Sequence, residues 1–355
     1  QVSLEERDQV LKPLAESGNE AVGSMGDDTP MAVLSAKERS LYDYFRQKFA
    51  QVTNPPIDPL REAIVMSLEV DLGGQANVFL ERESHASRIS LTSPVLSQGK
   101  FAAIVELEQE GIPVYQLDAT YDPDSENLQQ ALSRLCEQAR AHITAAPGIL
   151  VISDFNISDQ RLPIHSLLAT GAIHHSLIRE SLRVDANLII KTGSARDSHQ
   201  IACLLGFGAT AIYPYLAYSV LTDQLDAGEL LGAPNTCYKN YRRGINKGLL
   251  KIMSKMGISA VNSYRGAQLF EAVGLSKEVV DVAFSGVTSR VEGATFAHLE
   301  YDQQQIARAA RIARKPVVAG GLLKYVHGGE YHAYNPDVVM SLQRAVVSNN
   351  KRDYS

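Results

Sequence analysis

Short apolar runs alternate with longer amphipathic stretches through the middle of the chain. The apolar runs lie at residues 114–117, 149–152, 188–190 and 209–213. The stretches between them, with the period of a helix, are residues 128–143, 164–182 and 199–205. Strands buried on both faces give continuous apolar runs, and strand–helix alternation is typical of a parallel sheet. The pattern predicts an α/β fold: a parallel sheet with flanking helices, open or closed in part like a (βα) barrel.

The pattern on either side of this region predicts further elements. Leu41, Phe45 and Phe49 recur four apart, which indicates an amphipathic helix that ends before Pro55. Asp58 and the proline after it are typical of a new helix start. The first 35 residues, rich in Gly, Asp and Pro, predict an extended segment. Towards the C-terminus we expect helices at 241–256, 266–272, 303–313 and 336–347, and strands at 258–261 and from 315.

One uncharged stretch, residues 200–222, is long enough to resemble a membrane span. It contains Gly206, Gly208 and Pro214, and tyrosines lie in its second half. These residues break a single helix, so the stretch predicts a helix, a turn, a buried strand and a second helix. We therefore expect no membrane span here.

Composition narrows the class of protein. The 355 residues are 45% hydrophobic and 21% charged, as in globular chains, which excludes a disordered or collagen-like chain and gives about two domains. Lys and Arg total 34 against 40 Asp and Glu, and Trp is absent, which argues against nucleic-acid binding. The cysteines, Cys136, Cys203 and Cys237, are too far apart for a disulfide framework or a Cys-x-x-Cys site. We expect reduced thiols and a cytoplasmic protein.

Polar residues follow the predicted strands, at the edge where parallel sheets usually bind ligands. Asp154, Lys191, Ser194 and Arg196 are the candidate residues of a small-molecule site there. The same residue types cap helices and form turns, and that alternative stays open. Asp197 and Ser125 are the predicted N-caps of the helices that follow them.

A loop with the sequence HGGEYH holds the best candidate metal ligands, His327, Glu330 and His332. Local hydrogen bonding and packing are the alternative explanation of such a loop, and we favour them over a metal site. His174 and His175 are adjacent and cannot share a metal from one helix face. The chain has no Gly-x-Ser-x-Gly elbow, and residues 206–209 precede a strand, which predicts a turn and not a phosphate cradle.

Lys247, Lys251 and Lys255 recur every four residues and predict a cationic stripe on one helix. Such a stripe is either a solvated face or a surface that docks an acidic partner. The residues taken together contain no complete catalytic constellation.

Several long strings resemble one known family, the large subunit of bacterial, NADPH-type glutamate synthase. They are GSMGDDTPMAVLS from Gly23, YDYFRQKFAQVTNPPIDPLRE from Tyr42, LLGFGATAIYPYLAY from Leu204, NYRRGINKGLLKIMSKMGIS from Asn240, SYRGAQLFEAVGL from Ser263 and GGLLKYVHGGEYHAYNPDVV from Gly320. The resemblance implies three segments: residues 1–35 as a linker from a glutaminase domain, 36–314 as the central α/β domain, and 315–355 as the opening of an FMN-binding barrel.

The resemblance further implies that FMN, the [3Fe–4S] cluster and the glutaminase nucleophile belong to other parts of the parent enzyme. For this chain we expect no catalytic residue, cofactor or metal. Its expected partners are the glutaminase and FMN domains of the same subunit and an electron-donor subunit, with no nucleic acid and no membrane. Whether the electron donor is NADPH or ferredoxin stays open.

The resemblance implies that Met25 and Thr53 lie at the mouth of a tunnel that carries ammonia between two active sites. Plain packing between domains is the alternative for these two residues, and it stays open. The expected role of the chain is a scaffold that holds those sites in register. Two other roles stay open: an independent small-molecule-binding or regulatory domain, and a docking module for an electron-donor subunit.

Overall fold

The computed structural model describes residues 2–21, 27–48, 59–73, 79, 83, 88–312, 318–349 and 352. Its α-helices are α1 (Lys12–Ser17), α2 (Pro59–Val65), α3 (Gln98–Glu106), α4 (Leu128–Ala145), α5 (Ser166–Arg179), α6 (Ser198–Gly206), α7 (Tyr215–Asp226), α8 (Pro234–Met256), α9 (Val261–Tyr264), α10 (Lys277–Ala283), α11 (Phe296–Ala310) and α12 (Pro336–Ser348). Its strands are β1 (Phe45–Gln47), β2 (Val70–Leu72), β3 (Ile89–Leu91), β4 (Val114–Asp118), β5 (Thr120–Tyr121), β6 (Gly148–Ser153), β7 (Leu162–Pro163), β8 (Ala186–Lys191), β9 (Ala211–Tyr213), β10 (Phe270–Ala272) and β11 (Thr288–Ser289).

The centre of the fold is a four-stranded parallel sheet in the order β4-β6-β8-β9. In register, Val114 faces Ile149, Gly148 faces Ala186, and Ile189 faces Ala211. A parallel bridge between Val95 and Ile212 continues the sheet beyond β9. Each new strand is added on the same side, as in part of a (βα) barrel, and the sheet stays open. The predicted fold class is confirmed.

The crossover helices α4, α5 and α6 start where side chains cap them. Asp197 accepts a hydrogen bond from the backbone of Gln200 at 2.8 Å, and the predicted cap of α6 is confirmed. The predicted cap at Ser125 is wrong, because Asn127 caps α4 instead. The Ser125 hydroxyl donates to the carbonyl of Asp122 in the preceding turn.

The N-terminal segment is helical where an extended segment was expected. A wide π-helical stretch, Glu6–Leu11, runs into α1, and together they bury Leu11, Leu14 and Ala15. This segment packs on α8 at Gly244, where a Cβ atom would lie 2.5 Å from the Leu14 side chain. The missing side chain lets the two helices approach closely, and the apolar contact fixes the start of the chain on the domain.

A second, smaller sheet in the order β1-β10-β11 corrects two predictions. The helix expected over residues 41–49 is a 3₁₀ turn (Leu41–Tyr44) followed by β1, and the helix expected over 266–272 contains β10. β1 pairs antiparallel with β10, and Phe45 packs edge-on against Phe207 and Phe284 with ring centroids 4.9 and 4.7 Å away. Pairing between distant segments overrode the local helical period.

Other predicted boundaries moved. α8 and α11 begin at Pro234 and Phe296, ahead of the predicted starts, because a proline in the first turn and the Thr295 capping box begin them there. The strand expected at 258–261 is a single bridge between Ser67 and Ala260. The strand expected from residue 315 and the domain boundary before it lie outside the described residues.

The uncharged stretch at 200–222 forms α6, a turn, β9 and the first part of α7, as predicted. Gly208, in the turn, has φ of +109°, a conformation that favours glycine. Among the described residues, no helix combines the length and the apolar character needed to cross a bilayer.

Candidate functional site

A cleft of about 920 Å³ opens at the C-terminal edge of the parallel sheet. The N-terminal helical segment, residues 27–43, α11 and the C-terminal residues 318–330 enclose it. Of the four residues predicted for this edge, Asp154, Ser194 and Arg196 line the cleft. The cleft therefore brings together polar residues of the strand ends and both ends of the chain.

Asp154 follows β6 and is almost fully buried, with 4% of its surface exposed. Its carboxylate accepts hydrogen bonds from the Thr192 hydroxyl at 2.6 Å and from the backbone N–H of Gly193 at 3.1 Å. Burial raises the pKa of Asp154, and the bonds from Thr192 and Gly193 lower it in part. The backbone amide after β8 that could bind an incoming anion already donates to the chain's own carboxylate.

Ser194 belongs to a chain of hydroxyl groups beside Asp154. Its Oγ atom lies 2.6 Å from Ser166 Oγ, 3.0 Å from Thr192 Oγ1 and 3.1 Å from the Tyr42 hydroxyl. Burial raises the pKa of Tyr42, so its hydroxyl stays protonated. The Thr192 hydroxyl joins Ser194 to Asp154, and the network ties the sheet edge to α5 and to the segment before β1.

Lys191 and Arg196 point to different neighbours. The Lys191 ammonium lies 3.7 Å from the ring centroid of Phe155, a cation–π contact, and burial lowers the pKa of Lys191. Arg196 pairs with Glu6, with 3.0 Å between Nε and Oε1, and its Nη1 donates to the Gly193 carbonyl at 2.7 Å. Arg196 therefore fastens the N-terminal helix to the loop after β8.

The far side of the cleft holds a contact that the sequence did not indicate. The buried carboxylate of Glu5 accepts four backbone N–H groups of one loop, at 2.8–3.0 Å: Gly321, Leu322, Leu323 and Lys324. The backbone N–H groups of Leu4 and Glu5 in turn donate to the carbonyls of Val318 and Ala319. We call this contact the Glu5 clasp. No local sequence signal marks it, because a carboxylate that binds backbone amides can pair with any residue types.

Two side-chain contacts accompany the Glu5 clasp. Glu330 accepts from Ser35 Oγ at 2.5 Å and pairs with Arg39 at 3.5 Å. His332 Nδ1 lies 2.6 Å from Asp28 Oδ1, and its Nε2 lies 2.8 Å from the carbonyl of Gly321. Both Asp28 and the carbonyl are acceptors, so His332 donates from both ring nitrogens and carries a positive charge.

These contacts bear on the two interpretations of the HGGEYH loop. Glu330 and His332 form hydrogen bonds with protein partners, which favours the interpretation as local hydrogen bonding. Within the described residues, no group of three or more His, Cys, Asp or Glu side chains is placed to hold a metal ion.

Comparison with known proteins identifies the family. Residues 1–276 match the family model described as "Glutamate synthase central domain". The chain is 39% identical to the glutamate synthase [NADPH] large chain of Bacillus subtilis, over 98% of this chain and 23% of the relative. It is 43% identical to ferredoxin-dependent glutamate synthase 2 of Synechocystis sp., over the same two shares. It is 38% identical to glutamate synthase [NADH] of Schizosaccharomyces pombe, over 99% of this chain and 17% of the relative.

The chain belongs to the glutamate synthase central domain family. It spans about a fifth of the length of these curated relatives. Their names specify NADH, NADPH and ferredoxin, so the match does not single out the NADPH type. The solved flavin-binding domain of baker's yeast flavocytochrome b2 aligns at 11% identity over 57% of this chain and 47% of that chain. Its TM-score of 0.32 is too low to support an argument.

The three cysteines of this glutamate synthase domain do not fit an iron–sulfur cluster. Cys136, Cys203 and Cys237 lie on α4, α6 and α8, and burial raises the pKa of each thiol. The sheet edge also does not fit the phosphate of FMN, because the Gly193 amide already donates to Asp154.

The remaining candidate residues fall in two places. Lys247, Lys251 and Lys255 are exposed on α8, as the stripe predicted, and Lys247 donates to Asn19 Oδ1 at 2.7 Å. Met25 and Thr53, the candidate tunnel residues, lie outside the described residues.

Proposed function

We propose that the chain is the connecting central domain of a glutamate synthase. The proposed parent reaction converts glutamine, 2-oxoglutarate and two electrons into two molecules of glutamate. In this proposal the chain joins a glutaminase domain to an FMN-binding synthase domain and holds their active sites in register. The family match and the glutamate synthase names of the relatives support the assignment.

The Glu5 clasp is the observation that carries the scaffold role. It joins the first helical segment of the chain to residues 318–324 across one cleft. Arg196 and Glu6 fix the same segment to the parallel sheet, and Asp28 and His332 add a second tie. Segments that lead towards two different domains are therefore fastened to each other and to one sheet. A fixed distance between two sites gives a transferred intermediate a high effective concentration.

The proposed cofactors lie in the rest of the parent enzyme. FMN and a [3Fe–4S] cluster serve the synthase domain, and the cysteines and sheet edge described here do not fit either group. We expect the 355-residue chain alone to be colourless and catalytically silent. We place the parent enzyme in the cytoplasm.

An electron-donor subunit is the proposed partner outside the chain, and NADPH is the proposed source of electrons. The exposed lysines of α8 offer it a cationic surface. An acidic partner bound there dissociates as salt screens the charges. Association of the subunits that is unaffected by salt, or by Lys251→Gln with Lys255→Gln, would remove α8 from this contact.

Glu5→Gln in the full-length enzyme tests the scaffold role. Glutamine keeps the side-chain length but has one carbonyl oxygen and no charge for the four amides. We expect glutamine-dependent glutamate synthesis to fall several-fold, while glutaminase activity and synthesis from high external ammonium persist. Glu16→Gln, the same change at an exposed residue of α1, is the control. A folded Glu5→Gln enzyme with normal coupling of the two activities would contradict the proposal.

Thr53→Phe tests the proposed ammonia tunnel separately. A ring at the tunnel mouth should lower glutamine-dependent synthesis and spare synthesis from external ammonium, because both chemical centres keep their residues. Overpacking can cost roughly 1–3 kcal/mol, so the stability of the variant is measured first. Equal loss of both activities at normal stability would leave Thr53 as an interdomain contact.

A further inference from the structure

A second cavity lies at the opposite end of the parallel sheet from the cleft. It measures about 150 Å³ and is lined by His174, Arg183, Val184, Ala186, Asn187 and Arg265. Ala186 and Asn187 begin β8, whereas Lys191 ends it at the cleft side. The cavity is therefore separate from the cleft, because the two lie at opposite ends of strand β8.

Arg183 is held rigidly in the wall of this cavity. Its Nε donates to His174 Nδ1 at 2.8 Å, Nη1 to the Ala186 carbonyl at 2.6 Å, and Nη2 to the Gly208 carbonyl at 2.7 Å. All three acceptors are neutral. A guanidinium has five N–H groups, so these bonds leave one on each Nη atom for another acceptor.

Arg265 faces the same cavity with fewer bonds. Its Nη1 donates to Thr210 Oγ1 at 3.3 Å. Across the described residues, neither Arg183 nor Arg265 forms an ion pair with a carboxylate within 4.0 Å; Asp71 acts on Arg265 only over a longer distance. Two guanidinium groups thus share a cavity without a described counter-ion in contact.

The other polar groups of the cavity wall are also donors. His174 accepts from Arg183 at Nδ1, so the neutral ring carries its proton on Nε2. Burial, and then the charge of Arg183, lower the pKa of His174 to about 3, which keeps the ring neutral. The Asn187 carbonyl oxygen accepts from the Gly73 N–H at 2.8 Å, and its Nδ2 donates to the Asp71 carbonyl at 3.5 Å, which leaves one amide N–H of Asn187 for another acceptor.

Glycines keep the space around His174 open. A Cβ atom at Gly208 would lie 2.3 Å from His174 Nδ1, and one at Gly266 would lie 3.4 Å from Nε2. A side chain at Gly208 would collide with the ring, whereas a Cβ atom at Gly266 would be in ordinary van der Waals contact with it. The backbone therefore preserves a small volume that is lined by donors.

We propose that this cavity binds a small oxyanion, a phosphate group or a carboxylate, between Arg183, Arg265 and the Nε2 of His174. Arg183 and Arg265 are half-buried, so a compensating anion is favoured there, and guanidinium groups match phosphate and carboxylate in pairs of parallel bonds. The volume equals the liquid share of several water molecules, at about 30 Å³ each, so an anion of this size has room. The site is independent of the proposed scaffold role.

Calorimetric titration of the full-length protein tests the site, with inorganic phosphate and glutarate as probes at fixed ionic strength. Arg265→Met removes one guanidinium, and charge-assisted hydrogen bonds contribute about 1.5–3 kcal/mol, so we expect at least about tenfold weaker binding. Arg265→Lys keeps the positive charge but loses the paired N–H donors of the guanidinium group, so it should bind the probes with intermediate affinity. It also replaces Arg265→Met in the test if that variant does not fold. Arg308→Met, at an exposed position of α11, is the control and should bind like wild type.

Each outcome bears on the proposal. Tighter binding of phosphate than of glutarate assigns the site to a phosphate group, the reverse assigns it to a carboxylate, and either supports the site. Wild-type protein that binds neither probe overturns it. So do Arg265 variants that bind as wild type does, or an Arg308→Met control that weakens binding as much as Arg265→Met, because the effect is then one of net charge.

Discussion

The polar groups at the two ends of the parallel sheet differ in whether their hydrogen-bonding capacity is satisfied. At the C-terminal end, Asp154 accepts bonds from Thr192 and Gly193, so the chain supplies both donors and acceptor. At the N-terminal end, Arg183 and Arg265 face a cavity whose described polar groups are donors. At the first end these groups are paired with one another beside an open cleft, and at the second the described donors lack an anionic acceptor in contact.

This difference shows that the position of a sheet edge does not by itself determine whether the edge can bind a ligand. Sites in parallel α/β sheets usually lie at the C-terminal edge, and the polar residues there suggested one. Asp154 fills the turn that an anionic ligand would need, and the Glu5 clasp ties the chain ends across the same cleft. A binding site needs unpaired hydrogen-bonding capacity as well as polar residues, and the oxyanion site proposed at the other end of the sheet has such capacity.

Asp154→Ala is the change expected to have the largest effect. It leaves the Thr192 hydroxyl and the Gly193 amide buried without their acceptor, at about 1–3 kcal/mol each. We expect urea unfolding to show a loss of about 3 kcal/mol. Asp124→Ala, at an exposed turn position, should stay within about 0.5 kcal/mol of wild type. Equal, small effects of the two changes would mean that the C-terminal edge is not closed in this way.

Gly208→Ala probes the other end of the sheet. Gly208 has φ of +109°, and its added Cβ would collide with the His174 ring. Strained backbone of this kind costs about 1–3 kcal/mol, so we expect a loss of about 2 kcal/mol in thermal or urea unfolding. Gly99→Ala is the matched control. Nothing lies within 4 Å of its added Cβ in helix α3, so this change should stabilise the protein by up to about 1 kcal/mol. A Gly208→Ala protein as stable as Gly99→Ala would show that the cavity wall adapts freely.

A smaller, pH-dependent effect on the free energy of unfolding is expected from His332, beside the Glu5 clasp. Burial alone would lower the pKa of His332, but the bonds to the Gly321 carbonyl and Asp28, with the charges of Asp28 and Glu5, raise it above its usual value. A raised folded-state pKa stabilises the protein below the unfolded-state pKa of about 6.5, and the contribution is lost as the pH rises through the folded-state value. The bond to His332 lowers the pKa of Asp28, so the contribution of Asp28 is present above its unfolded-state pKa and is lost in acid.

Urea unfolding between pH 5.5 and 8.5 measures this effect as the difference between wild type and His332→Gln. We expect the difference to be largest at the acidic end of that range and to shrink as the pH rises. A difference that is constant over the range would show that His332 does not carry the charge assigned to it.

The sequence predicted the elements whose signal is local. Residues 149–152 formed a strand as expected, because burial on both faces makes the run continuously apolar. The segments around Phe45 and Phe270 were misassigned as helices, because their strand structure depends on a partner far away along the chain.

For the polar groups, too, the sequence indicated local features and missed contacts between distant segments. Asp154 and Ser194 were recognised from their place after strands, but their mutual satisfaction was not, since it depends on side-chain geometry. Glu5, Arg183 and Arg265 were missed. Glu5 and Arg183 bind backbone groups, and Arg183 and Arg265 line a cavity that distant segments form. Neither kind of contact produces a recognisable residue spacing in the sequence.

Hydrogen exchange of the full-length protein, measured by mass spectrometry, tests most directly whether Glu5 and Asp154 hold the backbone amides at the C-terminal edge of the sheet. We predict slow exchange for the amides of residues 321–324 and of Gly193 in wild type. In Glu5→Gln the amides of 321–324 should exchange much faster, while Gly193 and the amides of β6 stay slow. Fast exchange of residues 321–324 in wild type, at the rate of an open loop, would contradict the account, because the Glu5 clasp would then not hold the two ends of the chain together.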